Sequence, residues 1–291
     1  MKTLHLDTGR EMGGGQWQVL YLMERLKDAT LMAPEGSPLR EHFTGRIERL
    51  SFRNLRKRAR DFEMVHAHDA RAHGLAVMAR AAMAGIAPLV VSRRVGFPVK
   101  RTVASRWKYA RADGYFAVSK FVATRLESAG VSSEKIRVIY DGVPIPKPSH
   151  PQPGRVVALS NKGARIVQAA ANSLRIPIQM TSDLWQDLST ASIFLYVSEM
   201  EGLGSAALAA MACGVPVIAS GVGGLPEIVE HERTGLIVKN DELEGALRRL
   251  LNHPTLAAEM GRRGRDRVIE NFSVEKMVAR TERAYQEILG C

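Results

Sequence analysis

The chain has 291 residues, 45% of them hydrophobic and 24% charged, which excludes wholesale disorder and suits two domains of roughly 150 residues. Residues 1–150 hold 26 Lys+Arg against 14 Asp+Glu, and residues 151–291 hold 15 against 16, so the net +11 arises in the first half. That excess points to an anionic partner for the first half: nucleic acid, phospholipid head groups or a phosphorylated substrate. The two cysteines, Cys213 and Cys291, are too few for a disulfide framework or a metal cluster. No signal peptide is expected, because MKTLHLDTGRE meets Asp7, Arg10 and Glu11 almost at once. The longest uncharged stretch, 202–226, is broken by Gly214, Pro216, Gly221, Gly223, Gly224 and Pro226, which excludes a membrane span there. The expected setting is soluble, reducing and cytoplasmic.

Taken in order, the first half alternates short apolar strands with helices. Strands are predicted at Thr3–Leu6, Met64–His66, Pro88–Ser92, Gly114–Val118 and Arg137–Tyr140. Helices are predicted from about Gln16 to Leu26, over Ala70–Ala82 and over Lys120–Ser128. Such alternation argues a parallel sheet covered on both faces. Pro144, Pro146, Pro148, Pro151 and Pro153 then favour an extended linker, with a structured loop as the plainer alternative. The second half repeats the pattern. Strands are read at Val156–Leu159, Pro177–Met180, Ile193–Val197, Pro216–Ala219 and Gly235–Val238. Helices are read at Ala164–Leu174, Leu184–Ala191, Ser205–Cys213, Leu225–His231, Leu243–Leu251 and Val274–Leu289. The expected class is α/β, two Rossmann-like domains, residues 1–147 and 148–291, with the last helix packing back towards the first. Two open α/β domains place a site in the cleft between their strand ends.

The most informative stretch is Ser198–Val222, SEMEGLGSAALAAMACGVPVIASGV. A strand runs to Glu201, and a turn through Gly202, Leu203 and Gly204 opens a helix at Ser205. The amides of Gly204, Ser205 and Ala206 form an anion-facing helix N-terminus; an ordinary turn with a capping Ser reads the same residues equally well. In the first half, Gly13, Gly14 and Gly15 follow the opening strand, which tight packing also explains. His66, His68, Asp69, Arg71 and His73 gather at a strand end but lack a metal-binding pattern, so no metal is expected. Arg93 and Arg94, at the next strand end, suit a phosphate or carboxylate; a solvated loop is the bland alternative.

EGLG…MACGVPVIAS…GGLPEIVEHERTGLIV followed by HPTLAAEMGRRGRDRVIENFS resembles the C-terminal domain of retaining GT-B glycosyltransferases of family GT4. GGGQ, VHAHDARAH, AVSKFVATRL and IRVIYDGVP carry the likeness through the first half. The resemblance implies a GT-B fold whose second domain is here shortened by about one strand–helix unit. It implies that Glu201 lies at the donor sugar and that a second Glu, eight residues on, holds the ribose. Ala209 stands at that second position. A missing charge-assisted bond of about 1.5–3 kcal/mol weakens donor binding roughly 10–100-fold. Lys162, within ALSNKGAR, matches the family's diphosphate-facing Lys, with Asn161 beside it and Arg165 as a substitute for an absent Arg. By the same resemblance Gly14 and Gly15 lie under the donor phosphates, while His68, Asp69, Arg93 and Arg94 shape the sugar and acceptor side.

Basic residues interleave with Phe52 and Leu55, and again with Val103, Trp107 and Tyr109, as on an anionic membrane surface or a plain solvated face. No nucleic-acid motif accompanies them. The sequence therefore reads as a metal-independent, cofactor-free glycosyltransferase, peripheral to the membrane. It would move a sugar from a nucleotide-sugar donor to a cell-envelope glycan or lipid-linked acceptor, of lipopolysaccharide or polysaccharide type. The rivals are a non-catalytic GT-B-like binding or scaffolding protein and, less well supported, a sugar-nucleotide epimerase.

Overall fold

The computed structural model describes every residue except 83, 84, 86, 101, 161 and 291. The chain divides into two compact units, Met1–Asp141 with Val274–Cys291, and Gly142–Ser273. Among the described residues, the first unit holds seven strands: β1 (Lys2–Leu6), β2 (Asp28–Ala33), β3 (Arg46–Arg49), β4 (Met64–Ala67), β5 (Leu89–Arg93), β6 (Gly114–Ala117) and β7 (Ile136–Val138). They pair in parallel in the order β3-β2-β1-β4-β5-β6-β7. Both faces of the central strands are buried, Leu4 and Leu6 on one side and Thr3 and His5 on the other, as a helix-covered parallel sheet requires. The closing helix, Val274–Leu289, belongs to this unit and sets Met277, Val278 and Tyr285 against Met64, Val90 and Phe116.

The second unit holds β8 (Val156–Leu159), β9 (Ile178–Thr181), β10 (Ile193–Tyr196), β11 (Val217–Ser220) and β12 (Gly235–Val238), also parallel, in the order β12-β11-β10-β8-β9. Leu243, Leu247 and Leu250 recur at helical spacing and close over Val156, Ile193 and Ile218. In each sheet the strand order reverses once, between β1 and β4 and between β8 and β10. Such reversals open a crevice at the strands' carboxyl ends, where α/β sheets take their ligands.

Several elements correct the sequence reading. β2, DATLMA, has few β-branched residues, and β3, RIER, is a charged edge strand, so neither shows the usual strand signature. The helix Pro254–Asn271 is masked in sequence by Gly261 and Gly264. The proline-rich 144–153 segment is not a free linker. Ser149, His150 and Gln152 donate backbone hydrogen bonds to Cys213, Ser189 and Thr190, and Arg265 donates to the Pro146 carbonyl, so the segment docks on the second unit. Among the described residues no helix is long and apolar enough to cross a membrane.

Gly261 explains its own place in a helix. A Cβ there would lie 2.0 Å from the Gly214 carbonyl oxygen, so the helix can approach that turn only without a side chain. Gly261→Ala should cost about 3 kcal/mol of folding stability. Urea unfolding with an unchanged midpoint would refute this packing account.

Candidate active site

The second unit's crevice is built by the turns after β8 and β10. Lys162 follows β8, just before the helix Ala164–Leu174. Glu201 follows β10, and Gly204 adopts a left-handed conformation (φ 108°) to start the helix Ser205–Ala212. Gly204 is therefore the N-cap and Ser205 the first helical residue, as the reading of a helix opening at Ser205 has it, and the plainer alternative of a capping Ser does not hold. The helix is buried almost all round, from Ala207 to Ala212, which fixes its N-terminus firmly against the sheet.

Two backbone approaches bring these turns together. A Cβ on Gly223, which has φ 60°, would sit 1.9 Å from the Glu201 carbonyl oxygen. A Cβ on Gly163, with φ 59°, would sit 2.6 Å from Val197. With glycine at both places, the Lys162 ammonium reaches the Glu201 carboxylate in a direct ion pair. Lys162 Nζ also donates to the Tyr196 hydroxyl at 3.2 Å, and Ser198 Oγ donates to Glu201 Oε1 at 3.4 Å. Glu201 is buried, so an unpaired charge there would be costly; the ion pair offsets much of that cost. The arrangement presents a cation, a carboxylate and a helix N-terminus on one crevice, the elements that stabilise a departing anion beside a developing cation.

The other donor-side residues divide. Gly202 and Gly204 are buried backbone at the turn, and Leu203 turns its side chain into the interior, leaving only its peptide groups for a ligand. Arg165 is exposed at the start of its helix. Asn161 lies outside the described residues. Ala209 is buried on the helix, and no carboxylate is present at that position.

In the first unit, Gly14 and Gly15 begin the helix Gly14–Met23 after β1, beside the reversal point. Asp69, after β4, is committed to structure. It caps the helix Ala70–Ala81 through the Arg71 and Ala72 amides and also accepts from the Thr8 amide and hydroxyl. The sequence reading took it as a sugar-side group, yet all these bonds tie two loops together.

His68 belongs to a chain that the sequence reading missed. Arg94 Nη1 donates to His68 Nδ1 at 3.4 Å; this leaves the His68 Nε2–H to donate to His5 Nδ1 at 2.9 Å, and His5 Nε2–H to donate to Thr3 Oγ1 at 3.0 Å. His66, adjacent, meets Tyr285 at 2.5 Å and Ser92 at 2.7 Å. The ring nitrogens of His5, His66 and His68 come close enough to hold a metal, but these hydrogen bonds occupy them. His5 and His66 face each other across β1 and β4, a pairing that only the strand register reveals. Arg94 is itself held by Asp141 at 3.1 Å, and Arg93 by the Tyr109 hydroxyl and the Phe97 carbonyl. Both guanidiniums thus meet protein partners first, and any anion must compete for them.

Residues 12–146 match the model for Glycosyltransferase Family 4, and residues 168–267 match that for Glycosyl transferases group 1. A 105-residue stretch is 38% identical to N-acetyl-alpha-D-glucosaminyl L-malate synthase of Bacillus anthracis, covering 35% of this chain and 28% of that protein. Among solved structures, Anabaena HepE in complex with UDP and glucose superposes with a TM-score of 0.85 at 17% identity, covering 97% of this chain and 98% of that one. The lipopolysaccharide outer core galactosyltransferase WaaB, in its apo form, gives 0.73 at 15% identity over 99% of each chain. Two Rossmann-like parallel sheets with their glycine-lined strand ends are those of the GT-B class. The chain belongs to the GT4 family of glycosyltransferases.

Burial holds His5, His66, His68 and His73 neutral. It lowers His5 to about 3, with Arg94 adding to the effect, and lowers His73 to about 3, with Lys108 contributing. His66 and His68 are pushed down for the same first reason. An unfolded histidine takes up its proton below about 6.5, whereas these remain neutral. Stability is therefore complete above pH 6.5 and declines as the pH falls towards 3, by about 1.4 kcal/mol per pH unit for each such group. Urea unfolding should show the chain several kcal/mol weaker at pH 5 than at pH 7; equal stability at both would contradict the buried neutral network.

Proposed function

We propose that the chain transfers a sugar from a nucleotide-sugar donor to a cell-envelope glycan or lipid-linked acceptor, without a metal and with retention of configuration. The observation that carries this is the Lys162–Glu201 pair at the second unit's reversal point, beside the N-terminus of the helix Ser205–Ala212. The donor diphosphate draws the Lys162 ammonium towards itself as its charge grows, and the helix amides add a fixed positive potential. Glu201, freed from part of that pairing, faces the sugar and stabilises its oxocarbenium-like carbon. That HepE was solved with UDP and glucose supports a sugar nucleotide as donor. The matched stretch covers under a third of the Bacillus anthracis synthase, so that enzyme's own substrates are not carried over.

The acceptor side is argued from charge. The helices Phe52–Arg58, Ala70–Ala81 and Val103–Tyr109 contain no acidic residue and carry Arg53, Arg56, Lys57, Arg71, Arg106 and Lys108, besides Arg58 and Arg80, which pair with Glu48, Asp61 and Asp113. Phe52, Met78, Val103 and Trp107 are exposed among them, as is Phe97 just before the last helix. Cations around exposed apolar side chains suit an anionic membrane, each well-placed cation adding about 1 kcal/mol. A second reading, a donor-binding scaffold without catalysis, is favoured by one feature, Ala209 in place of a ribose-holding carboxylate.

Titration calorimetry with UDP-, GDP- and ADP-sugars should find one donor that binds. Glu201→Ala should keep its affinity within about threefold while turnover falls at least 100-fold. Binding with no turnover in the native chain supports the scaffold reading, and no binding at millimolar donor refutes both. On vesicles containing phosphatidylglycerol, the native chain should float at low salt and release as salt rises. Failure to float at low salt refutes the membrane contact.

A further inference from the structure

Tyr196 ends β10, and its side chain is buried at 3% exposure beside the Lys162–Glu201 pair. Its ring stacks near Phe194, with centroids 6.2 Å apart, a contact that phenylalanine would make equally well. The hydroxyl does something a phenylalanine cannot. It accepts from Lys162 Nζ at 3.2 Å, and the same ammonium pairs with Glu201, so the hydroxyl is a second contact on the cation of the ion pair. Burial first, and then the Glu201 charge, hold the phenol well above its ordinary titration range, so it stays a neutral hydroxyl beside the ammonium. The ammonium lies 5.4 Å from the ring centroid as well.

A lysine on a four-carbon stem is a mobile point charge, and a site that needs it in one place must supply a second contact. Glu201 alone cannot supply it, because Lys162 must turn from the carboxylate to the diphosphate during transfer. We propose that Tyr196 is a positioning residue of the donor site: its hydroxyl keeps hold of the Lys162 ammonium both while it pairs with Glu201 and as it turns to the diphosphate. This rests on the donor-site reading of Lys162 and Glu201. Tyr196 touches neither sugar nor phosphate; it acts through Lys162.

The test compares Tyr196→Phe with the native full-length chain, because the ring and its packing are kept and only the hydroxyl is lost. Competitive acylation of amines, read by mass spectrometry, reports on Lys162 with no donor present. Loss of one hydrogen bond should speed Lys162 labelling about five-fold, with the exposed Lys57 unchanged. With the donor identified, kcat should fall about tenfold, a loss of one to two hydrogen bonds' worth of transition-state stabilisation, while KM stays within about twofold. In a Lys162→Ala background the same change should then have no further effect on kcat.

Unchanged Lys162 labelling overturns the proposal, and so does a kcat loss that adds fully to that of Lys162→Ala. A fall of several degrees in melting temperature also overturns it, because the hydroxyl would then serve the fold. If the native chain binds none of UDP, GDP or ADP, the donor-site reading fails and this role fails with it. Labelling then still decides whether the hydroxyl holds the Lys162 ammonium. The two failures are thereby told apart.

Discussion

The second unit's site depends on backbone meeting backbone with nothing between. The Glu201 carbonyl and the Gly223 Cα approach so closely that any Cβ would collide at 1.9 Å, and Gly163 stands in a similar relation to Val197. These contacts fix where the turns after β8, β10 and β11 lie, and therefore where Lys162 and Glu201 meet. Moving any of these turns by an ångström would separate a buried carboxylate from its cation, at a cost of several kcal/mol. The ion pair thus follows from glycine geometry more than from its own attraction.

The first unit solves a different electrostatic problem at its own reversal point. Four buried histidines would be liabilities if charged, and burial together with the Arg94 and Lys108 cations keeps them neutral. Neutral rings can be both donors and acceptors, so His68 and His5 form a directed chain from Arg94 to Thr3, while His66 bonds Tyr285 and Ser92. Arg94 is balanced by Asp141, so its charge is compensated inside the fold rather than left for a ligand. Three acid-free helices carry part of the positive excess outward, with Arg53, Arg56, Lys57, Arg71 and Arg106 exposed on them. The charge asymmetry of the sequence is therefore split between a neutral, buried strand-end network and a basic outer surface.

Much of this was legible in the sequence, and the reasons for the rest are physical. Buried strands such as Val156–Leu159 and Gly235–Val238, and helices such as Ala164–Leu174, stand where apolar runs and periodicity put them. The edge strand Arg46–Arg49 escaped because the charges that keep an edge strand from pairing with another chain make it look like a polar loop. The proline segment misled for the opposite reason: prolines forbid helix, but carbonyls and the remaining amides can still dock on a neighbour. Glu201 and Lys162 were recognisable from motif, and the structure brings them together. Asp69 looked like a site residue because capping and catalysis favour the same residue type at the same strand end. Tyr196 and His5 carried no signal, since a buried aromatic in a strand reads as core until the register and the partners are known.

The central claim is that Lys162, Glu201 and the start of the helix Ser205–Ala212 form a donor site. A crystal structure of the chain with UDP tests it most directly. The account predicts the diphosphate within hydrogen-bond distance of Lys162 Nζ and of the Ser205 amide, with Glu201 facing the open side of the crevice. UDP bound elsewhere, with Lys162 still paired to Glu201 and remote from the phosphates, would contradict it.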